Sequence, residues 1–193
     1  MDYNLYPTIA VSDGFNSVCC WMAVREALMK ERPDVAFGIG IIAIASSIGT
    51  LRFGVAPRTF AYANGLLAEY GGMMGCPLIG IGFMIKNGFV PETLLGVQTW
   101  VGTAALLFCI ATYIRGSAEK PQSELYTTLV CVISFIGMLY SQWDVSTVSA
   151  VATFISAGLL VGADRHRYIL GVRRENIFHY ILGSSMVLFA RAL

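Results

Sequence analysis

Residues 59–85 read TFAYANGLLAEYGGMMGCPLIGIGFMI, 27 residues with Glu69 as the only acid and no Lys or Arg. A helix of about 20 apolar residues spans a bilayer core, so this stretch is long enough to cross, yet glycines and a proline interrupt it. Pro77 removes a backbone donor and clashes with the carbonyl of Met73. In hydrocarbon a freed backbone group must find a partner in protein or water. The sequence therefore predicts a helix break at Gly71, Gly72, Gly75 and Pro77, either as a kink or as two half-helices. Gly71 and Gly75 also form a GxxxG pair, and Cys76 with Gly80 a second small pair, the spacing that lets membrane helices pack closely. Gly158 and Gly162 repeat it later and are the expected partner face.

The rest of the chain agrees with that environment. Of 193 residues, 56% are hydrophobic and 13% charged, about half the charge of an ordinary soluble domain. Five segments have spanning length: Val35–Leu51, Thr59–Ile85, Thr93–Ile114, Leu125–Gln142 and Val145–Ala163. The tail from Asn176 to Leu193 makes a sixth. Residues 1–32 contain Asp13, Arg25 and Glu26 and read as a polar first helix or an interfacial one. The expected fold is an all-α, polytopic transmembrane bundle of six or seven helices. It forms a single integral membrane domain over 1–193, with six spans in 33–193.

Internal similarity suggests two parallel three-helix repeats joined by a linker helix. LYPTIAV at 5–11 resembles LYTTLVC at 125–131, and Asp34-Val35 and Asp144-Val145 each open an apolar run. GVAPRTFAYANG at 54–65 resembles GVRRENIFHYILG at 171–183. Parallel repeats of this kind occur in transporters. Eight Lys and Arg residues fall on the side of Arg52, Arg58 and Arg165, and five on the side of Lys30 and Lys86. The richer side is the expected cytoplasmic one, although the first helix favours the reverse.

Glu69 is costly in a spanning segment and usually faces an interior or a watery cavity. Tyr62, Glu69 and Cys76 lie seven apart, on one expected helical face, with Asn64 beside them. Ser146, Ser149, Thr153 and Ser156 recur on one face of a later helix, where hydroxyls either line a path or bond back to the preceding turn. The expected solute or ion pathway is Glu69, Asn64, Tyr62, Ser149 and Thr153. Arg165, Arg167, Arg173 and Arg174 form a basic run suited to lipid headgroups or to setting topology.

Only His166 and His179 are present, so a multi-histidine metal site is excluded. HExxH, GxSxG and P-loop patterns are absent, and no base is placed beside a nucleophile by spacing. Neither catalytic residues nor metal or cofactor are expected. The net charge of +1 gives no reason to expect nucleic acid. Membrane lipids, a homo-oligomer or a larger membrane complex are the expected partners. Two functions follow: transport of a small solute or ion, or a non-catalytic accessory or assembly subunit of a membrane complex.

Overall fold

The computed structural model describes residues 4–93, 96, 120–162 and 166–193. It is helical almost throughout. The described helices are α1 (Pro7–Met29), α2 (Pro33–Gly54), α3 (Pro57–Lys86), α4 (Lys120–Ser141), α5 (Val145–Ile155, continued as a π-helical turn Ser156–Val161) and α6 (Arg174–Ala192). Prolines open α1, α2 and α3, where the missing N–H is no loss and the fixed φ suits the helix. Asp144 opens α5 by accepting from the Thr147 amide at 2.9 Å. The two-residue strands β1 (Tyr168–Ile169) and β2 (Val172–Arg173) pair antiparallel. Leu170 and Gly171, at φ 51° and 79°, make the tight turn whose hand matches strand twist. The expected Thr93–Ile114 span falls almost wholly outside the described residues, as does Arg165.

By length and composition, Pro33–Gly54 and Pro57–Lys86 are apolar enough to cross a membrane. The contacts fix directions. Asn16 meets Ser46 and Tyr6 meets Phe53, so α2 runs against α1. Gly75 meets Gly38 and Gly82 meets Val35, so α3 runs against α2. Gly80 meets Ser134 and Gly137 meets Met84, which lays α4 parallel to α3. Ser12 meets His179, and Lys30 meets Ala190, which lays α6 parallel to α1. Thus α1, α3, α4 and α6 point one way, and α2 and α5 the other.

Residues 71–75 do not break α3. They widen it into one π-helical turn, GGMMG, in which the Cys76 amide bonds the Gly71 carbonyl. A π turn is a local way to absorb a residue that the α ladder cannot hold. In that register the next donor would be Pro77, which has none, leaving the Gly72 carbonyl to be satisfied otherwise. The thiol of Cys131 on α4 donates to it at 3.4 Å. The expected half-helices are therefore corrected to a continuous helix with one widened turn.

The glycines serve close packing, but with other partners than expected. A Cβ on Gly38 would stand 2.6 Å from the Gly75 carbonyl, and one on Gly75 would stand 2.7 Å from the Gly38 carbonyl. Helix α2 thus meets α3 at backbone distance. Gly80 is pressed likewise on Ser134 of α4, while a Cβ at Gly158 would meet nothing within 4 Å. Beyond these seams lies an aromatic core from α3, α4, α5 and α6. Phe135 stacks on Phe189 at 5.6 Å, and Phe154 lies 4.7 Å from Phe135. At that end Lys30 bonds the carbonyls of Ala190 and Arg191 at 2.9 Å, and Gln142 bonds that of Ala192 at 2.9 Å. Cationic and amide donors thereby satisfy the open carbonyls that end α6.

Candidate functional site

The polar first helix lies inside the bundle, between α2 and α6. Its inward face is Ile9, Ala10, Ser12, Asp13, Asn16, Cys20, Ala23 and Ala27, a recurrence near three and four residues that keeps one side against neighbours. Three of these residues are strongly polar, and each finds a partner far away in sequence. Asp13 Oδ1 lies 3.4 Å from His179 Nε2 on α6. Ser12 Oγ lies 3.1 Å from His179 Nδ1 and 3.4 Å from Asn176 Oδ1. Asn16 Nδ2 donates to Ser46 Oγ on α2 at 2.7 Å.

A second arm of the cluster joins α2 to α3. Arg52 Nη1 donates to Asn64 Oδ1 at 2.8 Å, and Asn64 Nδ2 to the Ala45 carbonyl at 3.1 Å. The Arg52 guanidinium also lies 4.7 Å from the centroid of Phe53. Gly49 joins the two arms, because a Cβ there would overlap the Asp13 carboxyl and stand 3.0 Å from Asn64 Nδ2. A side chain at this position would have to displace the Asp13 carboxyl from where it sits.

The electrostatics are those of an interior. Asp13 is 3% exposed, Glu175 5%, and Arg52 and His179 8% each. Isolated buried charges are prohibitive, so such groups persist only in hydrogen-bonded or paired arrangements. Counting 1.5 Å per residue from the helix starts, Asp13 and His179 lie roughly 8–9 Å below the end of the bundle. The site is thus inside the fold but nearer the hairpin end than the middle.

The order Ser12–His179–Asp13 resembles a hydrolytic relay in outline. Ser12 is fully buried, and its hydroxyl lies 2.9 Å from the Ile9 carbonyl. As packed, the serine and the acid clamp the two nitrogens of one ring from adjacent positions of one helix. Among the described residues, no three His, Cys, Asp or Glu side chains converge as a metal would require.

Of the residues expected to form a pathway, Asn64 belongs to this cluster. Tyr62 is exposed at 41%, Glu69 is half-buried, and Cys76, beyond the π turn, is buried. Tyr62 and Glu69 stand two regular turns apart before the π turn, and the one extra residue in that turn rotates only Cys76 and later side chains, by about a quarter turn. Ser149 and Thr153 stand on α5, which packs on α6. Thr153 and Ser156 bond back to the Ser149 and Thr153 carbonyls at 2.7 Å, and Ser146 bonds Asp144 Oδ1 at 2.7 Å. Most of that hydroxyl row therefore satisfies its own helix.

In the basic run, the guanidinium of Arg173 lies over the rings of Tyr6 and Tyr168 at 5.0 and 5.2 Å. The Arg174 amide bonds the Arg167 carbonyl at 2.9 Å, and Arg167 is exposed. The centre itself, Asp13 with His179, was not readable as a pair. In the sequence Asp13 is one of the charges of the first segment, and His179 is one of two histidines. Nothing local signals a contact across more than 160 residues. Compared with family models, with curated proteins and with solved structures, the chain matches none of them.

Proposed function

We propose that the chain is a multi-pass membrane protein that moves a small solute or ion through the polar interior between α1, α2, α3 and α6. The carrying observation is the inversion of α1. Its inward face holds Ser12, Asp13 and Asn16, while its outward face holds Val11, Val18, Met22 and Met29, each at least 60% exposed. Water would favour the reverse arrangement, and extended exposed apolar faces mark contact with something other than water. Helix α4 repeats the pattern with Ile133 and Ile136 exposed at 67% and 62%. Lipid is the surrounding that suits both helices.

The helix directions support a three-plus-one-plus-three arrangement. Helices α1, α2 and α3 and helices α4, α5 and α6 follow the same sequence of directions, as two parallel repeats would. Asp34-Val35 and Asp144-Val145 both stand at helix starts, those of α2 and α5. A polar cluster contributed by the first and last helices then lies where the two halves meet, the usual place for a substrate site in such folds. The subunit reading loses its main feature, because Gly71, Gly75 and Gly80 are occupied by α2 and α4 of the same chain. The exposed arginine of the hairpin segment, Arg167, is assigned to lipid headgroups at the bundle end.

Reconstitution into liposomes tests the reading. Flux of a broad panel of small ions and polar solutes is expected for the wild type, with a loss of tenfold or more in Asp13→Asn and Asn16→Ala. A folded wild type that conducts nothing across the panel would refute it.

A further inference from the structure

We propose that Ser12, Asp13 and His179 form a proton-binding site, with the His179 ring alternating between neutral and protonated forms inside the bundle. The proposal deepens the transport reading, on which the use of a proton as coupling ion rests; the protonation itself does not depend on it.

The argument is one of hydrogen-bond bookkeeping at a single ring. A neutral imidazole has one donor and one acceptor, and its cation has two donors. With the proton on Nε2, the ring donates to Asp13 Oδ1 at 3.4 Å, and Nδ1 accepts from the Ser12 hydroxyl at 3.1 Å. When a second proton arrives at Nδ1, that nitrogen becomes a donor and Ser12 must present a lone pair instead. The hydroxyl can do so because the Ile9 carbonyl lies 2.9 Å away and takes its hydrogen. Rotation about one serine torsion thus satisfies both states without moving a helix. No covalent bond other than N–H is made or broken, and Asp13 balances the charge gained.

The neighbouring charges set the balance. From α1 comes Asp13, which favours the cation. From α2 comes Arg52, whose partner Asn64 borders the same Gly49 that houses the Asp13 carboxyl, and it opposes the cation. Helix α6 adds Glu175 one turn earlier, buried like His179, and Arg174 at its start. From β2 comes Arg173, held over Tyr6 and Tyr168. The described part of α5 and its π turn, 145–162, carries no ionisable side chain. Of these groups Asp13 touches the ring, at 3.4 Å, so a proton taken from the hairpin end is held as an ion pair with it.

Since the chain has only two histidines, the test is direct. The full chain with His166→Asn, labelled with 15N in the imidazole and placed in phosphatidylcholine nanodiscs, reports one ring by NMR. The ring nitrogens are expected to titrate with a midpoint in the range of roughly pH 5 to 9. Asp13→Asn is expected to lower that midpoint by about one unit or more, a tenfold loss of proton affinity. A ring locked in one state across the range, or the same midpoint in Asp13→Asn, would overturn the proposal. If Asp13→Asn does not fold, the titration of the parent chain decides alone. A chain that titrates as expected yet carries no solute in liposomes keeps the proton site and loses the carrier.

Discussion

Gly49 shows how a residue without a side chain decides where a charged one can sit. Asp13 and Asn64 both press on the space a Cβ would occupy, so α1 and α2 approach only because that space is empty. Gly49→Ala is expected to destabilise the protein by about 1–3 kcal/mol, the usual cost of overpacking a filled interior. Thermal unfolding in detergent would read it as a lower midpoint. Asp13→Ala should remove most of the added cost, so the double variant is expected to be less destabilised than the sum of the singles. At this scale the sequence was half legible. Asp13 stood out as an acid among apolar residues, but Gly49 looked like any other glycine, and nothing beside His179 pointed to a partner near the opposite end of the chain.

At the scale of elements, two local devices show what pattern reading can and cannot see. The segment around Pro77 announced a disturbance, and a missing donor has to be accommodated somewhere. Its form depended on Cys131, 54 residues later and on another helix, whose thiol reaches the Gly72 carbonyl. The seven-residue spacing keeps its α register from Tyr62 to Glu69, and the wide turn interrupts that register only between Glu69 and Cys76. The hydroxyls of α5 behaved as their spacing allows, by bonding to the preceding turn.

The start of α5 was fully legible. Its Asp144 accepts from Ser146 Oγ at 2.7 Å, from the Thr147 amide at 2.9 Å and from Gln142 Nε2 at 2.6 Å. The Ser146 hydroxyl foremost, then the Thr147 amide, hold its carboxyl below the ordinary value near 3.8. A depressed folded value means the carboxylate's contribution is complete above about pH 4 and fades as pH falls through the folded value. Asp144→Ala is expected to cost about 1 kcal/mol at neutral pH. Comparison of unfolding curves at pH 7 and near pH 3 should show the gap between wild type and variant narrowing in acid.

For the whole molecule, the directions of the six described helices sort the termini and turns into two ends. The helix starts near Tyr6, Pro57 and Arg174 share one end with the Leu170 turn, and Arg32, Lys86 and Trp143 mark the other. In sealed vesicles, single cysteines at Leu170 and Arg58 in an otherwise cysteine-free chain should label with a membrane-impermeant maleimide from one face, and one at Trp143 from the opposite face. Labelling of Leu170 and Trp143 from the same face would contradict the membrane reading. The described helices fall on apolar runs that were legible in the sequence, while the expected span at 93–114 lies almost wholly outside the described residues. Which helices touch was not legible, because outward-facing and inward-facing apolar residues look alike in a sequence.

The contact of Gly38 with Gly75 has a consequence for motion. Where two backbones touch, with each carbonyl under 3 Å from the other glycine's ideal Cβ, sliding or separation would have to unmesh the main chains themselves. Helices α2 and α3 must then travel as one rigid plank. The α1–α6 seam is joined instead by serine, asparagine, histidine and aspartate, whose bonds can be exchanged for water one at a time. If this molecule rocks, the hinge belongs on the glycine side and the gap opens along the wet one.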